Sequence, residues 1–202
     1  MKRFFRVASA LVITGLFAPV QALGAPLQGQ GLVDALRQGG YVIVLRHADT
    51  DQTRADQDHV DLGNCDTQRI LTGKGRMAAR SIGAAIDAMN IPIGVVSSSP
   101  LCRTMWTGDL AFGHTDPNPG LIEPKTKDQA NGAKAAAVLQ PLIGAMPKSG
   151  TDTVIVTHGF NVQAITGFLP AEGEAVIFKP AGGSKFTMVA RVLSSEWNGL
   201  AK

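Results

Sequence analysis

Apolar runs that end in polar residues recur along the chain and predict the strands of a sheet. Residues 41–45 are apolar or aromatic without interruption and lead into Arg46 and His47. A β-branched run at residues 153–157 leads into His158 in the same way. Such runs are typical of inner strands of a parallel sheet, because those strands are buried on both faces.

Stretches with apolar residues at helical spacing lie between the predicted strands. They cover residues 30–38, 73–90 and 135–146. Pro141 lies inside the last of these and is expected to kink or split it. The apolar positions of that stretch are expected in the core: Ala135, Val138, Leu139, Leu142, Ile143 and Met146.

A further apolar run begins at Gly94 and leads into serines. Ser99 and Pro100 predict the N-cap and the first residue of a helix, and Gly113 predicts its C-terminal cap. Arg103 would then lie in the first turn, where free backbone N–H groups and the helix dipole attract anions. An ordinary surface arginine is the alternative.

The order of these elements predicts an α/β fold. Two strand-like runs at residues 175–179 and 185–193 are joined by a Pro- and Gly-containing turn and predict an antiparallel hairpin. We therefore expect a three-layer sandwich, with a mainly parallel central sheet flanked by helices and an antiparallel edge near the C-terminus. Strands that end at the same edge would bring two histidines and two arginines into one pocket.

The composition is that of one globular domain. The chain has 202 residues, of which 45% are hydrophobic and 17% charged. Its formal charge of +3 comes from Lys2, Arg3 and Arg6, within a segment that lacks Asp and Glu. Without those three, 16 of the 19 basic residues remain, which equals the number of acidic residues, 16. The rest of the chain is therefore formally neutral, so binding to nucleic acid has no electrostatic support.

Residues 1–24 have the pattern of a secretory signal peptide. A basic start is followed by an apolar stretch at residues 7–18 and by Ala22 and Gly24, after either of which cleavage is expected. The apolar stretch is shorter than the roughly 20 residues of a membrane span. We therefore expect a leader at 1–24, one domain at 25–202, and a periplasmic or secreted product that is not inserted in the membrane.

Cys65 and Cys102 are the two cysteines of the chain. An oxidising compartment allows them to pair, and two buried free thiols are the alternative. A disulfide is favoured because each cysteine lies near a candidate site segment. Their spacing fits no zinc motif.

The pair Arg46-His47 indicates an anion site. A fixed cation next to a histidine repels a metal ion, whereas guanidinium offers a planar fork of donors to phosphate. Neutral imidazole is a competent nucleophile, and its ordinary pKa near 6.5 leaves much of it neutral at pH 7. This chemistry requires no metal and no cofactor.

Three segments resemble the motifs of the histidine phosphatase superfamily, also called phosphoglycerate mutase-like. They are residues 45–50, residues 98–103 with Thr107, and residues 156–159. Residues 64–72, together with the leader, resemble the exported bacterial branch that includes the lipopolysaccharide core heptose phosphatase.

The resemblance implies roles for individual residues. His47 matches the nucleophile that becomes phosphohistidine, and Arg46, Arg103 and His158 match the clamp on the phosphoryl oxygens. Thr50 matches a position that adds a hydroxyl contact. The second histidine is expected to be protonated, so that it adds positive charge to the clamp.

The leaving alkoxide needs a proton, and several carboxyl groups are candidates for the acid. One branch of the superfamily has Asp after the second histidine, where this chain has Gly159. Another takes a Glu from the region after the second motif, which makes Glu123 the leading candidate and Asp128 the next. Glu172 and Glu174 are further possibilities.

The expected function is that of an exported, metal-independent acid phosphatase-type phosphomonoesterase. Its substrate would be a small phosphorylated molecule or a phosphorylated cell-envelope sugar. The alternative is a protein that binds phosphate or phosphosugar without turnover, since the acid is not obvious. Specificity is expected to lie in residues 51–68 and 117–128, which lack periodicity.

Overall fold

The computed structural model describes residues 26–200, so the predicted leader lies outside the described residues and stays a prediction. In chain order, the helices α1 to α5 span Gly29–Arg37, Gly73–Ala88, Cys102–Phe112, Gln129–Gly144 and Gly159–Thr166. The strands β1 to β6 span Val42–Arg46, Ile93–Ser98, Asp116–Pro117, Asp152–Thr157, Ala175–Pro180 and Phe186–Val192. No helix in this part of the chain has the length and apolar character that a membrane span requires.

The strands form one sheet in the order β3-β2-β4-β1-β5-β6. The pairs β1 with β4, β2 with β4 and β2 with β3 are parallel. β5 runs antiparallel to both β1 and β6, so β5 and β6 form the predicted antiparallel edge near the C-terminus. The predicted mainly parallel sheet is confirmed.

β1 lies in the middle of the sheet and is buried on both faces. Ile43 and Leu45 pack into a core shared with α1 and α2. Val42 and Val44 point the other way, into a core shared with α4 and α5. Helices therefore cover both faces, which confirms the three-layer architecture and explains the unbroken apolar run in the sequence.

α3 begins at Cys102 rather than at Pro100, and the predicted cap at Ser99 is wrong. The N–H of Ser99 donates to the carbonyl of Val156 at 3.0 Å, which continues the pairing of β2 with β4. Its hydroxyl lies 2.8 Å from a ring nitrogen of His158, so it is not available to cap the helix. The predicted C-terminal cap at Gly113 is confirmed by its left-handed conformation, with φ of 78°.

α4 continues through Pro141 as one helix, so the predicted split did not occur. Its buried side chains lie four positions apart: Ala135, Leu139 and Ile143. Val138 and Met146 are exposed, and their predicted place in the core is wrong. Leu142 is partly buried against the same core, and Met146 lies beyond the end of the helix.

Candidate active site

Two histidines meet at the carboxyl ends of the neighbouring strands β1 and β4. His47 follows β1 and donates its backbone N–H to the carbonyl of Thr157 at 2.9 Å. His158 follows β4 and is the N-cap residue of α5. The two ring centroids are 5.6 Å apart, and both side chains are buried. The sheet thus brings together the two histidines that the sequence singled out.

The surroundings of His47 define which ring nitrogen is free. Nδ1 lies 3.0 Å from the carbonyl oxygen of Ala48, so Nδ1 carries the hydrogen and Nε2 keeps its lone pair. Burial lowers the pKa of His47 well below its ordinary value, and the charges of Arg103, Arg46 and Arg69 lower it further. The hydrogen bond to Ala48 opposes these effects only in part. His47 is therefore neutral and can act as a nucleophile.

His158 is neutral as well in the free site, and its expected protonation in the presence of phosphoryl oxygens stays a prediction. Burial lowers its pKa well below the ordinary value, and the charges of Arg103, His47, Arg69 and Arg46 add to this. Its Nε2 lies 2.8 Å from the hydroxyl of the serine that follows β2. Its Nδ1 is buried and has no partner among the described residues.

Arg103 lies in the first turn of α3 and is almost fully buried. Its Nη1 donates to both carboxylate oxygens of Asp56, at 3.0 and 3.2 Å. Its Nε is buried without a partner in the described part of the chain. In the guanidinium of Arg103, Nη1 is therefore engaged by a carboxylate, whereas Nε is a donor still available to an anion.

Arg46 is the last residue of β1, and its guanidinium is held by the chain around residue 170. Nη1 donates to the carbonyl of Pro170 at 2.6 Å, and Nη2 lies 3.6 Å from a carboxylate oxygen of Glu172. Nε is buried and, within residues 26–200, has no partner. Arg46 thus offers a second free donor.

Gly159 lies close to this arginine. A Cβ atom at residue 159 would lie 2.7 Å from Cδ1 of Leu169 and 3.1 Å from Nε of Arg46. A larger residue after the second histidine would therefore require the Leu169 side chain to move and the guanidinium of Arg46 to shift slightly.

Arg69 is a charged residue of the site that the sequence reasoning missed. Its Nη1 donates to the hydroxyl of Thr50 and lies 3.3 Å from a carboxylate oxygen of Glu172. Its charge lowers the pKa of both His47 and His158. The signal available in the sequence was its place in the segment 64–72 that carries the resemblance.

Thr50 is buried beside His47, but its hydroxyl is already engaged. It donates to Glu172 at 2.7 Å, and the backbone N–H of Thr50 donates to the other carboxylate oxygen at 3.1 Å. The same carboxylate lies 3.9 Å from Nδ1 of His47. Glu172 therefore organises the arginine and threonine side chains of the site, and its oxygens are occupied.

The remaining candidates for the acid lie at different distances from the site. Glu123 shares a cleft with Arg103, and its carboxylate accepts the N–H of Phe160 at 3.0 Å in the first turn of α5. Asp128 is exposed and caps α4. Glu174 is buried and paired with Arg191 at 2.6 Å. Of these three, Glu123 is the one that lines a cleft together with Arg103.

The cleft is formed by the two segments in which specificity was expected. Residues 51–68 and 117–128 line it together with Arg103. A disulfide joins Cys65 in the first segment to Cys102, the first residue of α3. The N–H of Cys102 also donates to Gln68 at 2.8 Å. The long polar segment is therefore fastened next to the candidate phosphate site.

The charges around His47 favour an anion. After burial, the guanidinium groups of Arg46, Arg69 and Arg103 are further causes that lower the pKa of both histidines. Among residues 26–200, no group of three or more His, Cys, Asp or Glu side chains is placed to hold a metal ion. The arrangement can hold phosphoryl oxygens by charge-assisted hydrogen bonds beside a neutral nucleophile.

No protein-family model matches the chain, and no curated protein matches it. Solved structures do match. A phosphoserine phosphatase mutant from Entamoeba histolytica, in complex with phosphoserine, is 16% identical with a TM-score of 0.56, and the match covers 76% of this chain and 97% of that one. Bacillus stearothermophilus YhfR is 16% identical with a TM-score of 0.54, and the match covers 73% of this chain and 94% of that one.

A third match is the putative phosphohistidine phosphatase SixA from Agrobacterium tumefaciens. It is 15% identical with a TM-score of 0.52, over 76% of this chain and 97% of that chain. At these identities the likeness establishes a common fold. The chain therefore has the fold of these three proteins, and the matches cover 94% to 97% of their lengths.

Proposed function

We propose that the protein is a phosphomonoesterase that passes a phosphoryl group through His47 to water. The observation that carries the proposal is a set of three buried nitrogens without partners among the described residues, on the side chains that surround neutral His47. They are Nε of Arg46, Nε of Arg103 and Nδ1 of His158. Buried donors are seldom left unpaired, and phosphoryl oxygens are strong acceptors.

In the first half of the proposed reaction, Nε2 of His47 attacks phosphorus. A P–N bond forms, the P–O bond to the alcohol breaks, and the alkoxide takes a proton from Glu123. The guanidinium groups of Arg46 and Arg103 neutralise the oxygens in the transition state. Negative charge next to His158 also favours its protonation, which the free site disfavours.

In the second half, Glu123 takes a proton from a water molecule that attacks the phosphohistidine. The P–O bond to water forms, the P–N bond breaks, and phosphate leaves with His47 again neutral. Glu123 thus acts first as acid and then as base, and the cycle consumes one water for each ester.

The proposal includes export and a small phosphorylated substrate. The leader-like residues 1–24 support a periplasmic or secreted enzyme, and the resemblance of residues 64–72 supports a cell-envelope phosphosugar as one candidate substrate. The shared fold with a phosphoserine phosphatase supports phosphate ester chemistry. No metal takes part in the proposed steps.

The test is release of phosphate by the protein, expressed with its own leader, from a panel of phosphomonoesters in EDTA. We expect turnover that is lost in His47→Ala and kept in His114→Ala, since His114 is exposed and pairs with Asp116, which is also exposed. Undiminished turnover in His47→Ala would contradict the mechanism. Saturable binding of phosphate without any turnover would instead favour the binding-protein alternative.

A further inference from the structure

A cleft of about 450 Å³ extends from Arg103 and Glu123 to the surface. Arg103 belongs to the candidate phosphate clamp, and Glu123 is the proposed acid. In an ester held by the clamp, the bridging oxygen would face the acid, and the alcohol would continue into this cleft. The residues that line the cleft would therefore contact the alcohol part of the substrate and indicate its chemical class.

Most of the lining surface is apolar. The apolar side chains come from both loop segments and from the start of α3: Val60, Leu62, Leu101, Ile122 and Pro124. Leu62 is 47% exposed and Ile122 37% exposed, on opposite segments of the cleft. Large apolar side chains that share an exposed concave surface are typical of a ligand site.

The cations of the lining are already engaged by oxygen atoms. Arg103 is bound by Asp56, Nζ of Lys125 donates to the carbonyl of Asp58, and Lys127 lies 3.7 Å from Glu123. A second phosphate or a carboxylate on the alcohol would therefore have to compete with these partners. The three cations of the lining are matched by three carboxylates, Asp56, Asp58 and Glu123, so the lining has no net positive charge.

The walls of the cleft are held in place before a ligand arrives. The disulfide and the bond between Gln68 and Cys102 fasten one wall to α3. The bond between Lys125 and Asp58 joins this wall to the other. A preformed apolar surface lowers the cost of ordering on binding, so apolar contact with the ligand contributes to affinity.

We infer that the substrate is a phosphate monoester of an uncharged alcohol with an apolar or aromatic face, which packs between Leu62 and Ile122. The inference rests on the proposed function for the position of the phosphoryl group. It favours such an ester over an alcohol that carries a carboxylate or many hydroxyl groups, and therefore over the cell-envelope phosphosugar named above as one candidate.

The test compares the phenylethyl ester of phosphate with three other primary alkyl esters, so that leaving-group reactivity is similar: ethyl phosphate, glycerol 3-phosphate and glucose 6-phosphate. We expect the phenylethyl ester to have the lowest KM, by about tenfold, because its phenyl ring is buried on binding. Leu62→Ser and Ile122→Ser should each reduce this preference by about threefold or more. Val138→Ser is the matched control, because Val138 has the same exposed fraction as Ile122, 37%, and does not line the cleft.

A second measurement does not depend on turnover. Calorimetric titration of His47→Ala with the phenylethyl ester and with inorganic phosphate should show about tenfold tighter binding of the ester. Equal affinities, or a preference for glycerol or glucose phosphate that survives both cleft substitutions, would overturn the inference. Preferential binding of the phenylethyl ester with no hydrolysis by the wild type would uphold the ligand class and refute the proposed function.

Discussion

His47 owes its neutral state to burial and to three neighbouring arginines, and this sets the expected pH dependence. Because its pKa lies well below the ordinary value, the nucleophile stays unprotonated as the pH falls below 6.5. We predict that Arg69→Gln, which removes one of the cations, moves the acid limb of kcat/KM to higher pH. The measurement is the pH profile of wild type and variant on one ester, so that ionisation of the substrate cancels.

Arg80→Gln is the control for this experiment, since Arg80 is an exposed residue of α2. An acid limb that does not move in Arg69→Gln would contradict the electrostatic account of His47. An equal shift in the control would show a general effect of net charge.

Glu123 is expected to protonate the leaving group, so its importance should depend on the alcohol. We predict that Glu123→Gln lowers kcat/KM on alkyl phosphates by about 10² or more, because general acid catalysis contributes factors of that size. On p-nitrophenyl phosphate the loss of kcat/KM should be small, because that leaving group departs without a proton. Initial rates at substrate concentrations below KM measure the difference, since kcat/KM does not contain the later hydrolysis of phosphohistidine, in which Glu123 acts as the base.

Asp128→Asn is the matched carboxyl-to-amide control, because asparagine also caps a helix well. The same loss on both esters in Glu123→Gln would show that the residue positions the site rather than donating a proton.

Among single residues, the sequence predicted the place of those site residues that directly follow buried strands. His47 and His158 are fixed in this way, since the parallel register sets both at one edge. Arg69 was missed, because it reaches the site from an irregular segment and only its place in residues 64–72 pointed to it. The lowered pKa of His158 could not be predicted, since its burial becomes visible only when the layers are assembled.

At the scale of elements, the segment 51–68 depends on the disulfide that fastens it to α3. The bond closes a loop over a separation of 37 residues. We predict that the double variant Cys65→Ser/Cys102→Ser loses up to about 4 kcal/mol of unfolding free energy by the loop-entropy relation. Urea denaturation of the oxidised wild type and the variant measures the loss.

The same variant should bind substrate more weakly and show a higher KM, because the freed segment forms one wall of the cleft. Reduction of the wild type by a thiol should reproduce both effects. Unchanged stability and KM after complete reduction would contradict the role given to the disulfide.

Helices and strands could be predicted where buried residues follow a regular pattern along the sequence. β1 and β4 are buried on both faces, and α2 carries one buried face, so their runs are visible in the sequence. Segment 51–68 shows no regular pattern of buried residues from which its path could be predicted. It is set by contacts between residues far apart, such as Gln68 with Cys102 and Asp56 with Arg103.

At the scale of the whole molecule, a carboxyl group at the opposite end of the sheet couples folding to pH. Asp152 begins β4, is fully buried, and accepts the N–H of Tyr41 at 2.8 Å. Burial raises the pKa of Asp152 to about 7, against opposing effects of Tyr41 and Lys179. The folded state therefore binds this proton more tightly than the unfolded chain does.

The stability that this proton contributes is complete below the ordinary pKa of aspartate and is lost as the pH rises towards 7. We predict that Asp152→Asn removes this loss, which is of the order of 2 to 4 kcal/mol. The measurement is the denaturation midpoint of variant and wild type at each pH between 4 and 8. Because both proteins contain the same histidines, the difference between them gives the contribution of Asp152.

Asp87→Asn, at an exposed position of α2, is the control for the loss of one charge. A difference between Asp152→Asn and wild type that does not change with pH would show that Asp152 is ionised in the folded protein throughout this range.

A single-turnover experiment tests whether His47 carries the phosphoryl group. The protein is mixed with a ³²P-labelled phosphomonoester, quenched in alkaline denaturant and divided, since a phosphohistidine P–N bond survives alkali and is hydrolysed by acid. We predict labelled protein that is stable in alkali and labile in acid, present in wild type and His114→Ala and absent from His47→Ala. Full turnover without labelled protein at any quench time, or label that remains in His47→Ala, would contradict the account.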